Sequence, residues 1–387
     1  MSGFAFEELR RWPDVEAPNL FASDAADRLL LDTAAGPTAD EPTTAALALP
    51  TPADGGLVVI GDSYGALTLA AAAQGARGIR VHQDALTGSR ALAANAVALG
   101  LETAFVDLPL DTSLVAGARL VLLRLPRSLD ALAEVAALIA RHAHPEVTVF
   151  AGGMVKHLTP AMNDVLGQVF GSVRASLARQ KARVLTATDA LPDAAAALEP
   201  WPRRTFDDDL GLWVCAHGAA FAGTTVDIGT RFLLTVLDQA IPDARTGIDL
   251  GCGTGVIAST MAMRRPGIRM LATDQSAAAV ASTRATADAN GVGDRVTVVR
   301  DDALASQPDG TADLIVLNPP FHIGAAVHTN IAHRMFADAG RVLAPGGELW
   351  TVWNSHLGYR SALERAVGPT RQIARNAKFT VTASRRP

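Results

Sequence analysis

Displacing the chain by 190 positions against itself lays Val58-Val59-Ile60-Gly61 over Ile248-Asp249-Leu250-Gly251, keeps Gly65 over Gly255, and sets Asp84 over Asp274. A displacement of 194 brings residues 120–126 over residues 314–320, each an apolar run that ends in proline. Strand, glycine turn and helix thus recur at one spacing, and self-similarity at a fixed period is the mark of a duplicated unit. The pattern predicts two tandem α/β domains of the same build, residues 1–195 and 196–387. A chain of 387 residues is long enough for each to bury its own core.

In the second half, apolar runs at 246–250, 268–273, 296–299 and 312–317 read as strands, and 255–264, 277–290 and 331–343 as helices. Residues 346–353 and 379–384 add two late strands. Strand and helix in alternation imply right-handed crossovers, and so a mostly parallel sheet with helices on both faces. The stretch 191–209, with Pro192, Pro200, Pro202 and the run Asp207-Asp208-Asp209, reads as a linker region.

Composition narrows the class. With 49% apolar and 19% charged residues the chain is not mostly disordered. Cys215 and Cys252 cannot build a disulfide framework, and no Cys/His cluster has zinc spacing, which predicts a reduced compartment and no metal. An acidic N-terminus without a leader pattern and the lack of a long charge-free apolar run predict a cytoplasmic protein with no membrane span. The last 37 residues carry 7 basic side chains against 1 acid, on a chain of net charge −5, which fits a phosphate-bearing partner at one face.

The chemistry concentrates at strand ends. Asp249-Leu250-Gly251-Cys252-Gly253-Thr254-Gly255 turns from strand to helix at the carboxyl edge, where open α/β sheets bind ligands. The spacing G-x-G-x-G differs from dinucleotide and P-loop signatures, and no lysine follows to hold a phosphate. An acid ahead of the loop suits a ligand bearing an ammonium group. Asp274, 19 residues past Gly255, stands where a carboxylate can accept both ribose hydroxyls. Asp301 and Asp302 end the third strand, and one of them can accept from an adenine amine.

The fourth strand ends in Asn318-Pro319-Pro320-Phe321. Proline has no N–H, so this turn offers acceptors, the Asn318 side-chain carbonyl and the Pro319 C=O, beside an aromatic face at Phe321. Two acceptors fit an NH2 group. By drawing its hydrogens out of plane they restore a nitrogen lone pair otherwise conjugated into a ring or a carbonyl.

These motifs resemble those of class I S-adenosylmethionine-dependent methyltransferases that modify exocyclic or amide nitrogens. More narrowly the chain resembles the two-domain ribosomal RNA guanine-N2 methyltransferases, through residues 221–232, 318–322, 354–359 and 376–379. The resemblance implies two tandem Rossmann-like domains with seven-stranded sheets, the first a degenerate copy. It implies S-adenosylmethionine as cofactor, ribosomal RNA or an assembling subunit as partner, and a monomer. The donor would rest on Asp249, Gly251, Cys252, Gly253 and Gly255, with Asp274, Gln275, Asp301, Asp302 and Ala303 around its ribose and adenine and Asn318 at its methyl end. Thr224, Asp227 and Gly229 would close over the donor, and Arg231, Phe321 and Lys378 would meet the substrate. Asn318, Pro319, Pro320 and Phe321 would carry catalysis. Segments 227–232 and 377–379 look closer to the large-subunit enzymes than to the small-subunit ones. In the first domain Val59, Ser63, Tyr64 and the run Arg124-Leu125-Pro126 replace these groups, which predicts no donor binding there. Rival readings are a protein glutamine-amide methyltransferase, a DNA adenine-N6 methyltransferase and a non-catalytic RNA-binding assembly factor.

Overall fold

The computed structural model describes residues 4–35, 56–320 and 325–387, with side chains from 331 onward in the last segment. The chain divides into two compact units, Met1–Trp201 and Pro202–Pro387. In the first unit the strands are Leu57–Ile60 (β1), Ile79–His82 (β2), Phe105–Asp107 (β3), Leu120–Arg124 (β4), Thr148–Met154 (β5), Phe170–Ala175 (β6) and Ala182–Ala190 (β7). A hairpin, Arg203–Asp207 (β8) and Leu212–Ala216 (β9), opens the second unit. Its main sheet comprises Thr246–Leu250 (β10), Arg269–Asp274 (β11), Val296–Arg300 (β12), Ala312–Leu317 (β13), Leu343–Asn354 (β14), Thr370–Arg375 (β15) and Phe379–Arg385 (β16).

The two sheets share one topology: β3-β2-β1-β4-β5-β7-β6 in the first unit and β12-β11-β10-β13-β14-β16-β15 in the second. Six strands of each run in one direction, and β7 or β16, next to the end of its row, runs antiparallel to both its neighbours. The α/β duplication expected from the repeat is therefore present. Burial explains the central strands: β4 is buried along four of its five residues and β10 along its last four, the pattern of strands covered on both faces. In the second unit one face packs Leu233, Met261, Val316 and Trp350 under the helices Ile228–Leu234 and Val256–Arg264. The other packs Leu250, Leu317, Phe336 and Trp353 under Ala325–Val342.

Several elements differ from the sequence reading. The division between the units, after Trp201, falls within the stretch 191–209 read as a linker region, which also holds the helix Pro192–Ala197, begun by a proline at its first position, and then β8. The helix expected at 331–343 begins earlier, at Ala325. β15 was not anticipated, because its half-polar run TRQIAR lacks an apolar stripe and is completed only by pairing with β16. The outer edge of β9 is closed by a helix rather than a strand: Asn290, Thr286 and Ser282, spaced four apart, accept from the backbone N–H groups of Trp213, Cys215 and His217 at 2.9 Å each.

Among the described residues no helix is long and apolar enough to cross a membrane, and no three His, Cys, Asp or Glu side chains gather to hold a metal ion.

Candidate active site

In the second unit the strand order reverses between β10 and β13, the switch point at which such sheets open a crevice. Leu250 pairs with Leu317 across these strands and with Thr273 of β11. Register alone thus brings Gly251, Asp274 and Asn318 level with one another just beyond the sheet.

Gly251, Gly253 and Gly255 all have left-handed backbones, with φ of 75°, 54° and 75°. Two of them also answer to space. A Cβ on Gly255 would lie 2.7 Å from Thr283 Cγ2, so glycine lets the helix Val256–Arg264 close on the helix Ala277–Ala289. A Cβ on Gly253 would meet nothing within 4 Å, which leaves the crest of the loop open to a ligand. The loop is pinned from beneath. Gly251 and Cys252 donate to the Thr273 carbonyl at 2.8 and 3.0 Å, and Gly253 N–H donates to Asp274 Oδ2 at 3.1 Å. Asp274 Oδ1 accepts from Ser276 N–H at 3.0 Å, so one carboxylate ties the loop to the next helix.

Asp249, expected to face an ammonium group, is only 1% exposed and accepts from Ala258 N–H at 2.9 Å. Burial pushes its carboxyl up to about 7 against the pull of that N–H. In this structure it caps the helix rather than lining the cleft. Cys252 is buried too. Thr283 donates to its sulfur at 3.2 Å, and burial raises its thiol well above the ordinary range, which makes it packing and not a nucleophile.

The paired acids after β12 divide their work. Asp301, 1% exposed, closes its own turn by accepting from Ser306 N–H at 2.9 Å, Ser306 Oγ at 2.7 Å and Asp302 N–H at 2.8 Å. Asp302 is the more accessible and is paired with Arg334. Ala303 takes φ 54°, rare for a residue with a Cβ, and Gln275 is exposed.

Asn318 lies at the crevice. Its Nδ2 donates to Asp227 Oδ2 and to Thr230 Oγ1, each at 3.0 Å, while its Oδ1 is buried with no partner among the described residues. Pro319 is buried and Pro320 exposed; Phe321 lies outside the described residues. Asp227 caps the helix Ile228–Leu234, accepting from Gly229 and Thr230 N–H at 2.8 and 3.1 Å. Thr224 is bonded to Thr205 of the hairpin at 3.0 Å. Arg231, expected to meet substrate, is paired with Asp207 and Asp209 and ties that hairpin to the helix. Lys378 is exposed, its ammonium 5.3 Å from the Phe379 ring centre.

Thr230 was not singled out by sequence. Its signal was a hydroxyl three residues past a helix-capping Asp, a spacing that reads equally as ordinary helix. Asn354 enters the sequence reading only within the segment 354–359. It ends β14, and its buried side-chain oxygen has no partner among the described residues.

The basic C-terminal segment is partly spent inside the fold. Arg371 meets Glu348 at 2.8 Å, Arg360 meets Glu364 at 3.0 Å, and Arg386 donates to the Arg341 carbonyl at 2.9 Å. Arg365, Arg375, Lys378 and Arg385 remain exposed, with no ion pair among the described residues.

The first unit holds the same loop with different chemistry. Ile60 pairs with His82 and Leu123 as Leu250 does with Thr273 and Leu317, so Gln83, and not Asp84 as the displaced sequence suggests, stands at the position of Asp274. The two strand ends differ by one residue, which a fixed displacement cannot register. Gln83 Oε1 accepts from Ser63 N–H at 3.0 Å, reproducing the contact with an amide in place of a carboxylate. Arg124 occupies the position of Asn318 and is paired with Asp24 and Asp27 at 2.8 and 2.7 Å. Asp62, 2% exposed, caps the following helix at Leu67 and Thr68, both at 2.8 Å, in place of the acid lost at Val59.

Strand order, glycine loop and strand-end acceptor together define a class I methyltransferase domain. Residues 211–383 match the methyltransferase small domain, and residues 2–191 match the RLMG N-terminal domain. A Streptomyces coelicolor protein named ribosomal RNA large subunit methyltransferase G is 37% identical over 386 residues, covering 96% of each chain. One of the same name from Ectopseudomonas mendocina is 37% identical, covering 98% of this chain and 97% of that one. A solved T. thermophilus 16S rRNA guanine-N2 methyltransferase, in complex with AdoMet and guanosine, shares the fold with TM-score 0.71 at 22% identity, over 94% of this chain and 92% of that one. The chain belongs to the ribosomal RNA large subunit methyltransferase G family.

Proposed function

We propose that the chain transfers a methyl group from S-adenosylmethionine to the exocyclic N2 of a guanine in large-subunit (23S) ribosomal RNA. The observation that carries this reading is the buried Oδ1 of Asn318 at the switch point, which has no partner among the described residues. A buried acceptor without a partner carries a desolvation cost of about 1–3 kcal/mol, which an incoming N–H removes. The names of the relatives and the guanosine bound to the T. thermophilus protein support the same substrate.

When bound, S-adenosylmethionine supplies an electrophilic methyl on its sulfonium. The chain does the rest by holding and aiming. The loop at Gly251, Gly253 and Gly255, with Asp274 and Asp302, cradles the donor and directs that methyl toward the crevice. A guanine turned out of its stack places N2 against Asn318 Oδ1 and the Pro319 carbonyl. These acceptors pull the N2 hydrogens from the ring plane and free the lone pair. The N–C bond forms as the C–S bond breaks, sulfur keeps the electron pair, and the spare proton leaves to water. No cysteine takes part. The first unit binds no donor and orients or shields the RNA; Arg365, Arg375, Lys378 and Arg385 contact phosphates, so affinity falls with salt. The chain acts as a monomer, in the cytoplasm where subunits assemble.

The test is product analysis. Purified protein with methyl-labelled S-adenosylmethionine and 23S RNA from cells lacking the chain is expected to place label in N2-methylguanosine. Label in N6-methyladenosine, or in protein glutamine when whole subunits are supplied, contradicts the reading.

A further inference from the structure

An asparagine amide looks much the same either way round, so what its oxygen can do depends on what holds its NH2 end. Here both N–H groups of Asn318 are taken, one by Asp227 Oδ2 and one by Thr230 Oγ1, at 3.0 Å each. An ionised carboxylate only accepts, so the reversed amide would set oxygen against oxygen. The carbonyl is thereby forced to the opposite side, where it is buried and has no partner among the described residues. The approach is close: a Cβ on Gly229 would stand 2.9 Å from Asp227 Oδ2 and 3.3 Å from the Phe379 ring.

The first unit supplies an internal comparison. There Asp24 caps the helix Ala25–Ala34 as Asp227 caps its own, and it accepts from Arg124 Nη1 and Nη2 at 2.8 and 2.9 Å. Arg124 follows Leu123, the partner of Ile60, as Asn318 follows Leu317, the partner of Leu250. Both units therefore join a helix-capping carboxylate to the corresponding residue at the carboxyl end of the fourth strand. Only the second has a strand-end residue with an acceptor left to aim, since guanidinium has none.

We propose that Asp227 and Thr230 are positioning residues that lock the Asn318 amide with its oxygen toward the target amine, and that Asp227 serves this purpose rather than contacting the methyl donor. The assignment rests on the N-methyl transfer proposed above.

Asp227→Ser keeps a helix-capping oxygen but is too short to reach Asn318. Thr230→Val keeps the shape and removes the hydroxyl. Each is expected to lower kcat by about 10- to 30-fold, with KM for donor and RNA changed less than about threefold, because misaimed groups cost rate and not affinity. Asp227→Asn, whose amide oxygen can take the same three N–H groups, is expected to recover kcat to within about fivefold of the parent. In an Asn318→Ala background Asp227→Ser should cost nothing further in single-turnover rate, since the group it aims is gone. The assignment is overturned by parental kcat in both Asp227→Ser and Thr230→Val, by an undiminished loss in the Asn318→Ala background, or by a rise in the donor Kd as the main effect of Asp227→Ser. Should Asp227→Ser not fold, Thr230→Val carries the test alone. A parent that forms no methylguanosine contradicts the function itself; an active parent with unaffected variants contradicts only the positioning role.

Discussion

Asn318→Ala is expected to lower kcat by a factor on the order of a hundred to a thousand while the donor Kd changes by less than about threefold. The magnitude follows from the loss of one preorganised hydrogen-bonding group at a reacting centre. The selectivity follows from geometry. Asn318 Oδ1 has no partner among the described residues, so its removal costs no hydrogen bond to them at that atom. The glycine loop is instead pinned by Thr273 and Asp274, which the substitution leaves in place. Loss of Nδ2 does leave Asp227 and Thr230 one donor short, but Asp227 Oδ2 keeps the N–H groups of Gly229 and Thr230. Stopped turnover with parental calorimetric binding of S-adenosylmethionine is the expected pair of results. Full activity in the variant would remove Asn318 from the mechanism.

Calorimetry of the parent is expected to find one donor site per chain, although the fold is present twice. Two replacements in the first unit argue this. Gln83 stands at the level of Asp274, so an amide replaces the carboxylate proposed to take both ribose hydroxyls. Arg124, tied to Asp24 and Asp27, places a cation at the level where Asn318 stands in the other unit, a poor neighbour for a sulfonium. An Asp274→Ala variant should then lose measurable donor binding, because no second site remains to be seen. Two sites per parent chain, or residual stoichiometric binding in that variant, would contradict the reading of the first unit as a retired copy.

Much of this was legible in sequence because parallel strands buried on both faces are written as apolar runs, and glycine turns at their ends cannot be replaced without a clash or a strained backbone. The loop at residues 251–255, Asp274 at the next strand end and Asn318 after the fourth strand could all be found that way. What was not legible depends on contacts across the fold. Asp249 and Asp301 read as ligands because an acid at a strand end has the same signature whether it faces the cleft or caps a helix, and only burial separates the two cases. The pairing of Asp227 and Thr230 with Asn318 spans about ninety positions and has no local pattern; it arises because one helix packs over the end of β13. The equivalence of Gln83 and Asp274 was missed for a simpler reason, since a fixed displacement cannot follow a one-residue change in strand length.

A single N2-methylguanosine in large-subunit RNA is the expected product of this chain. The most direct measurement is mass spectrometry of nucleosides and mapped fragments of ribosomal RNA from cells lacking the chain, beside their parent. The account predicts loss of a single N2-methylguanosine from 23S RNA, restored by the intact gene and not by the Asn318→Ala form. Unchanged N2-methylguanosine in 23S RNA would contradict it.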